Sequence, residues 1–158
     1  MTNTEILDQS KETIDLEPLF DSVGFLLRIA QIQSYEGFFE ALGDFGLRPG
    51  AFTVLRVLAH NPDTQQGALA RILRIKPAHM TKLVQEMVKK GLVSRTVPEN
   101  DRRSVRLSLT GNGMALVERN QAEFRKYIDI ERGRLTDREV EELTRLLCKL
   151  TGLKREKA

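Results

Sequence analysis

Residues Lys76–Gly113 read KPAHMTKLVQEMVKKGLVSRTVPENDRRSVRLSLTGNG, and the hydrophobic period changes partway along them. Met80, Leu83, Val84, Met87 and Val88 recur at i, i+3, i+4, i+7 and i+8, the stripe of a helix lying on a core. That stripe leaves Ala78, His79, Thr81, Lys82 and Gln85 on the outward side. Gly91 ends the helix as a left-handed cap, with Leu92 placed to touch Met87. The period then drops to two: Val93 and Val97 alternate on one run, and Val105, Leu107 and Leu109 on the next. The two runs read as a β-hairpin around Glu99–Arg103.

The flanking sequence is helical. Leu16, Leu19, Phe20, Val23, Leu27 and Ala30 begin a long amphipathic helix near Asp15, which continues through Tyr35, Phe38, Phe39 and Leu42 to Gly43 or Gly46. Pro49 opens a second helix that stops at Asn61-Pro62, with Phe52, Leu55, Val57 and Leu58 available for burial. A short helix fits QQGALARILR, residues 65–74. Downstream, Thr110 caps a helix through Met114, Leu116 and Val117 and past Phe124, Tyr127 and Ile128. Thr136 with Glu139 then forms a capping box, with a staple between Leu135 and Val140. Val140, Leu143, Leu147 and Leu150 follow the heptad-like spacing of a helix that packs on a partner helix.

The fold class expected is therefore mainly α with a small β-hairpin, a winged helix-turn-helix framed by N- and C-terminal helices. Residues 47–109 form the winged unit, 15–46 and 110–152 the helical region, and 1–14 and 153–158 flexible ends. Composition agrees with one globular domain: 158 residues, 41% apolar and 30% charged. The early acidic residues Glu5, Asp8, Glu12, Asp15 and Glu17 do not suit a secretory signal, and no apolar run is long enough to span a membrane, so a soluble cytoplasmic protein is expected. A single cysteine, Cys148, forms no internal disulfide, and His60 and His79 make a poor metal set.

Net charge is only +3, but it is unevenly spread. Residues 1–45 hold two Lys and Arg against nine Asp and Glu, whereas residues 71–106 hold ten against three, a local +7. Such a block is the footprint of a phosphate-binding surface, though a solvated face can carry the same charge. The outward face of the Lys76–Lys90 helix suits a DNA major groove, being small, polar or basic in front and apolar behind. Gln85 and His79 can bond base edges, Thr81 offers a hydroxyl or a methyl, Lys82 reaches phosphate or guanine, and Ala78 permits close approach. In the hairpin, Arg102 and Arg103 suit an adjacent minor groove, Asp101 can orient an arginine, and Arg95, Ser104 and Arg106 complete the candidate wing contacts.

At these residues the chain resembles the MarR-type winged-helix transcription factors. The family hairpin, D-x-R, alternating apolar residues, then L-T-x-x-G, is matched by Asp101, Arg103, Val105, Leu107, Leu109, Thr110 and Gly113. The upstream K-x-G-L-V is matched by Lys89 to Val93, and the resemblance extends from about Asp15 to Gly152. It implies a homodimer with interlocked first and last helices, bound to a pseudo-palindromic operator in double-stranded DNA, with recognition helices about 34 Å apart. Lys76 departs from the pattern, which commonly has Ser as the recognition-helix N-cap; Lys76 is either a phosphate contact or a neutral replacement.

The resemblance also implies a ligand-responsive repressor of a catabolic or efflux operon, released from DNA by a small aromatic acid or its coenzyme A thioester. Within the family the chain resembles regulators of hydroxycinnamate catabolism that sense acyl-coenzyme A thioesters. Gly24, Arg28, Gln31 and Tyr35 form a second stripe on the first helix, followed by Phe39 and Phe45; together they offer one orienting cation and several rings for an aromatic carboxylate. The alternative is an arginine paired with neighbouring acids and aromatics that fill a dimer core. Cys148, in LLCKL, reads as core filler instead of a redox switch, and His60 as a helix C-terminal residue facing the end carbonyls. No phosphate loop, nucleophile elbow or metal set is present, so neither catalysis nor a cofactor is expected. A winged helix that binds only protein, or a regulator without an effector, remains the competing reading.

Overall fold

A computed structural model describes residues 14–99 and 104–154, the Phe45 side chain excepted. Asp101, Arg102 and Arg103, expected at the hairpin tip, lie outside the described residues, as do 1–13, Asn100 and 155–158. Eight helices and three strands follow one another among the described residues. They are α1 Glu17–Phe20, α2 Val23–Leu42, a 3-10 turn at Gly43–Phe45, α3 Pro49–His60, β1 Thr64–Gln65, α4 Gln66–Ile72 and α5 Pro77–Lys89. Then come β2 Val93–Thr96, β3 Arg106–Leu109, α6 Gly111–Arg119, α7 Gln121–Arg132 and α8 Asp137–Thr151.

The winged unit holds a core that Val117 of α6 completes. Met80, Leu83, Val84 and Met87 of α5 are buried with Leu55 and Leu58 of α3, Leu69 of α4, Val93 of β2 and Leu107 of β3. Val88 departs from the expected stripe: it is 40% exposed, because the buried face is narrower than five positions. The end of α5 is a complete Schellman motif, with Gly91 at φ +69°, its N–H donating to Val88 O and that of Leu92 to Met87 O. The turn from α4 to α5 repeats this bonding with Arg74 in the left-handed position, φ +54°, where a non-glycine residue is costly.

The expected hairpin forms as β2 and β3, and the sheet adds a third strand to it. The sheet is three-stranded and antiparallel in the order β1-β3-β2, with Thr64 opposite Leu107 and Arg95 opposite Leu107 on the other side. β1 is two residues long, too short for a period-two signal to register. Val97 lies beyond β2 and is exposed.

Two long helices expected from periodicity are each broken by a capping residue. Ser22 is extended, its hydroxyl accepts from Phe25 N, and the first helix is split into α1 and α2. Asn120 is buried and its side-chain amide donates to Leu116 O, which separates α6 from α7. At the start of α6, Thr110 ties the hairpin to the end of α5: its N–H donates to Leu92 O, its hydroxyl donates to Gly91 O and accepts from Gly113 N. A Cβ on Gly113 would stand 2.0 Å from Leu92 O, so the final glycine of L-T-x-x-G is fixed by close backbone approach.

The helical region is less complete. α2 packs along α7, with Gly37 so close to Ile130 that a Cβ would sit 2.7 Å from its Cγ2. The Thr136–Glu139 capping box forms as expected. Yet neither α7 nor α8 buries any residue fully, and Cys148 is half-buried instead of core.

Candidate nucleic-acid interface and ligand cleft

Helix α5 presents its outward face as the periodicity expects. Ala78, His79, Thr81, Lys82 and Gln85 are all exposed, as is Lys76, whose side chain makes no capping bond. Pro77 at the first helical position supplies the fixed φ that a missing cap would otherwise help set. Arg95 is exposed on β2, beside the segment that leads to the tip.

Two of the expected wing contacts, Arg106 and Ser104, also make bonds within the fold. The Arg106 guanidinium donates to Asp63 O at 2.8 Å and to the Asp63 carboxylate at 3.1 Å, and Asp63 N donates to the Ser108 hydroxyl. Arg106 thus clamps the loop before β1 against β3. Ser104 accepts from the Gln65 amide at 3.3 Å. Gln65 and Gln66 carry no sequence signal for this role; only the pairing of β1 with β3 brings them to the wing. Gln66 N also donates to Val105 O, and its side chain reaches Thr81 on α5.

A cleft of about 390 Å³ lies between α2, α3 and α7, lined by Phe38, Phe52, Arg56, His60, Phe124 and Tyr127 among others. The rings form a chain of edge and tilted contacts with centroids 5.5 to 5.9 Å apart. Arg56 lies over Phe124, 4.0 Å from the ring centre, and forms no ion pair among the described residues. His60 Nδ1 meets Arg56 O at 3.1 Å, the end-carbonyl contact expected of it.

The Tyr127 hydroxyl is 2.6 Å from a Glu131 carboxylate oxygen and 2.9 Å from Ser34 Oγ, and Ser34 donates to the same carboxylate oxygen. Burial first, and the Glu131 carboxylate second, push this phenol up to about 12. Tyr127 therefore has its ring in the cleft and its hydroxyl on the α2–α7 seam. That seam opens on its other side into a wider apolar groove of about 1140 Å³ shared with α8.

The residues expected to receive a ligand lie elsewhere. Arg28, Gln31, Tyr35 and Phe39 are exposed on α2 and line neither cavity, and the Phe45 side chain is not described. Gln31 donates to the Tyr35 hydroxyl at 3.4 Å, and Phe39 meets Phe38 edge-on. The sequence did hold one signal for the cleft: Arg56 falls four residues after buried Phe52, on the same helix face.

A sequence profile of the MarR family matches residues 45–104. A transcriptional regulatory protein for the hcr operon of Thauera aromatica is 35% identical over 130 residues, covering 81% of this chain and 78% of that protein. The transcriptional repressor CouR, solved bound to a 23-mer DNA duplex, superposes with a TM-score of 0.81 at 26% identity, over 89% of this chain and 99% of that one. Bordetella bronchiseptica BpsR, whose DNA binding is regulated by 6-hydroxynicotinic acid, superposes with a TM-score of 0.76 at 25% identity, over 83% and 94%.

Proposed function

The chain belongs to the MarR family of winged helix-turn-helix transcriptional regulators, which are not enzymes, and from that premise we propose that it is a homodimeric repressor that leaves its operator when an aromatic acid enters the α3–α7 cleft. The observation that carries the DNA half is the α5 face, where exposed Lys76, His79, Thr81, Lys82 and Gln85 stand over a fully buried stripe. α5 enters the major groove and Arg95 with the wing arginines reaches the neighbouring minor groove. Dimerisation is supported by the apolar surface left open on α1, α2 and α8, where Leu19, Val23, Leu143, Leu146 and Leu150 are exposed. The site of action is the cytoplasm, where operator DNA lies.

Arg56 and the surrounding rings support the effector half. A guanidinium in an aromatic cleft pairs with a carboxylate while the rings stack on an aromatic ligand, and 390 Å³ is at the small end of ligand pockets. It suits a single-ring acid or the acyl end of a thioester whose coenzyme A remains outside. The test is fluorescence anisotropy on duplex DNA from the upstream region of its own gene, alone and with aromatic acids and their thioesters. Release by one ligand, lost in Arg56→Ala, is expected; tight binding that no ligand relieves would remove the effector half and leave the repressor.

A further inference from the structure

Thr81 stands in the middle of the exposed α5 face, and its hydroxyl is already committed. A hydroxyl has one proton and two lone pairs. The Thr81 proton goes to Pro77 O, 3.0 Å away one turn back, and the Gln66 side-chain amide nitrogen lies 3.3 Å from the Thr81 hydroxyl oxygen itself. Since Pro77 O only accepts and so takes the hydroxyl proton, the amide must turn its NH2 toward Thr81 and donate. Thr81 then has no proton left for a base edge; its methyl and a single lone pair are what remain.

Resting on the operator-binding reading above, we infer that Thr81 recognises thymine through its methyl group, and that Gln66 is the positioning residue that holds it so. Threonine in a helix divides between two rotamers because its hydroxyl can turn to the preceding carbonyl. Gln66 favours one of them by adding a second bond to the hydroxyl in that orientation. The methyl then meets the C5-methyl of a thymine, the apolar contact available in the major groove, and with no proton to give the hydroxyl offers no bond to the acceptors of guanine. Gln66 sits at the first residue of α4, fixed by its N–H bond to Val105 O, so the helix-turn-helix and the wing base both set where Thr81 points.

Replacing thymine by deoxyuridine tests this without altering base pairing, because only the methyl is removed. The full-length protein is used to select an operator from random duplex DNA, and each thymine of that operator is then changed singly to deoxyuridine in competition binding. Wild type is expected to lose roughly fourfold in affinity at one thymine per half-site, the worth of one buried methyl. Thr81→Val should keep this discrimination, since valine in a helix holds one rotamer, and Thr81→Ser should abolish it. Gln66→Ala should reduce the thymine-to-deoxyuridine ratio in wild type and leave it unchanged in the Thr81→Val background, which a merely structural role for Gln66 would not produce. Operator binding that is indifferent to every deoxyuridine, or that keeps the same sensitivity in Thr81→Ser, overturns the inference while leaving the regulator intact. Failure to select any duplex overturns the operator-binding reading and this inference with it.

Discussion

The winged unit and the helical region obey the same patterning rules, yet one is finished within a single chain and the other is not. In the winged unit Val54, Leu55, Leu58, Met80, Met87 and Leu107 are all essentially inaccessible. In the helical region the stripe Val140, Leu143, Leu147 and Leu150 is as regular as that of α5, but Leu143 and Leu150 remain 44% and 60% exposed. An amphipathic helix needs a surface to lie on. α5 finds one in its own domain, whereas the α8 stripe faces an open groove shared with α2 and α7 and leaves Leu150 exposed beyond it. That contrast suits a protein whose winged unit is packed within one chain and whose helical region is completed by association.

The largest effect is expected from breaking the finished side. Gly113→Ala forces a methyl into Leu92 O and should cost about 3 kcal/mol or more of stability, seen as a lowered midpoint in chemical denaturation. Breaking the unfinished side should act on association instead. Leu143→Glu with Leu150→Glu should convert dimer to monomer in sedimentation and weaken operator binding roughly a hundredfold, while the monomer keeps its helical spectrum. A dimer that survives both charges would place its interface elsewhere.

Tyr127 lies where the two regions meet, and pH sharpens the comparison there. An unfolded tyrosine ionises near 10, whereas Tyr127 is held up to about 12. Its contribution is thus fully present below about pH 10 and is lost as pH rises through 12, because the unfolded chain releases its proton first. Alkaline unfolding followed by circular dichroism should show that loss in wild type and a shallower one in Tyr127→Phe. The smallest effect belongs to Thr136→Ala, which removes the α8 capping box and should cost about 1 kcal/mol. Since α8 buries nothing fully within its own chain, that loss should appear mainly as weaker dimerisation.

What the sequence made legible follows the same division. The α5 stripe, the Gly91 cap, Thr110 and the Thr136–Glu139 box are local, and each was readable from spacing alone. The breaks at Ser22 and Asn120 were missed because apolar periodicity runs straight across them, although both residues favour helix ends over helix interiors. β1 was missed because two residues carry no period. The aromatic cleft was not legible for a different reason: Phe38, Arg56 and Phe124 come from three helices, and no one-dimensional pattern brings them together. Arg106 was read as a wing contact, and its bonds to the Asp63 loop were not legible because that loop reaches β3 only in three dimensions.

The most direct test is the salt dependence of operator affinity, measured by fluorescence anisotropy on the full-length protein. Lys76, Lys82 and Arg95 give three exposed cations per subunit and six per dimer. Neutralising about six phosphates should make affinity fall about a thousandfold between roughly 50 and 200 mM salt. An affinity that stays level across that range would contradict the assignment of α5 and the wing as a DNA-binding surface.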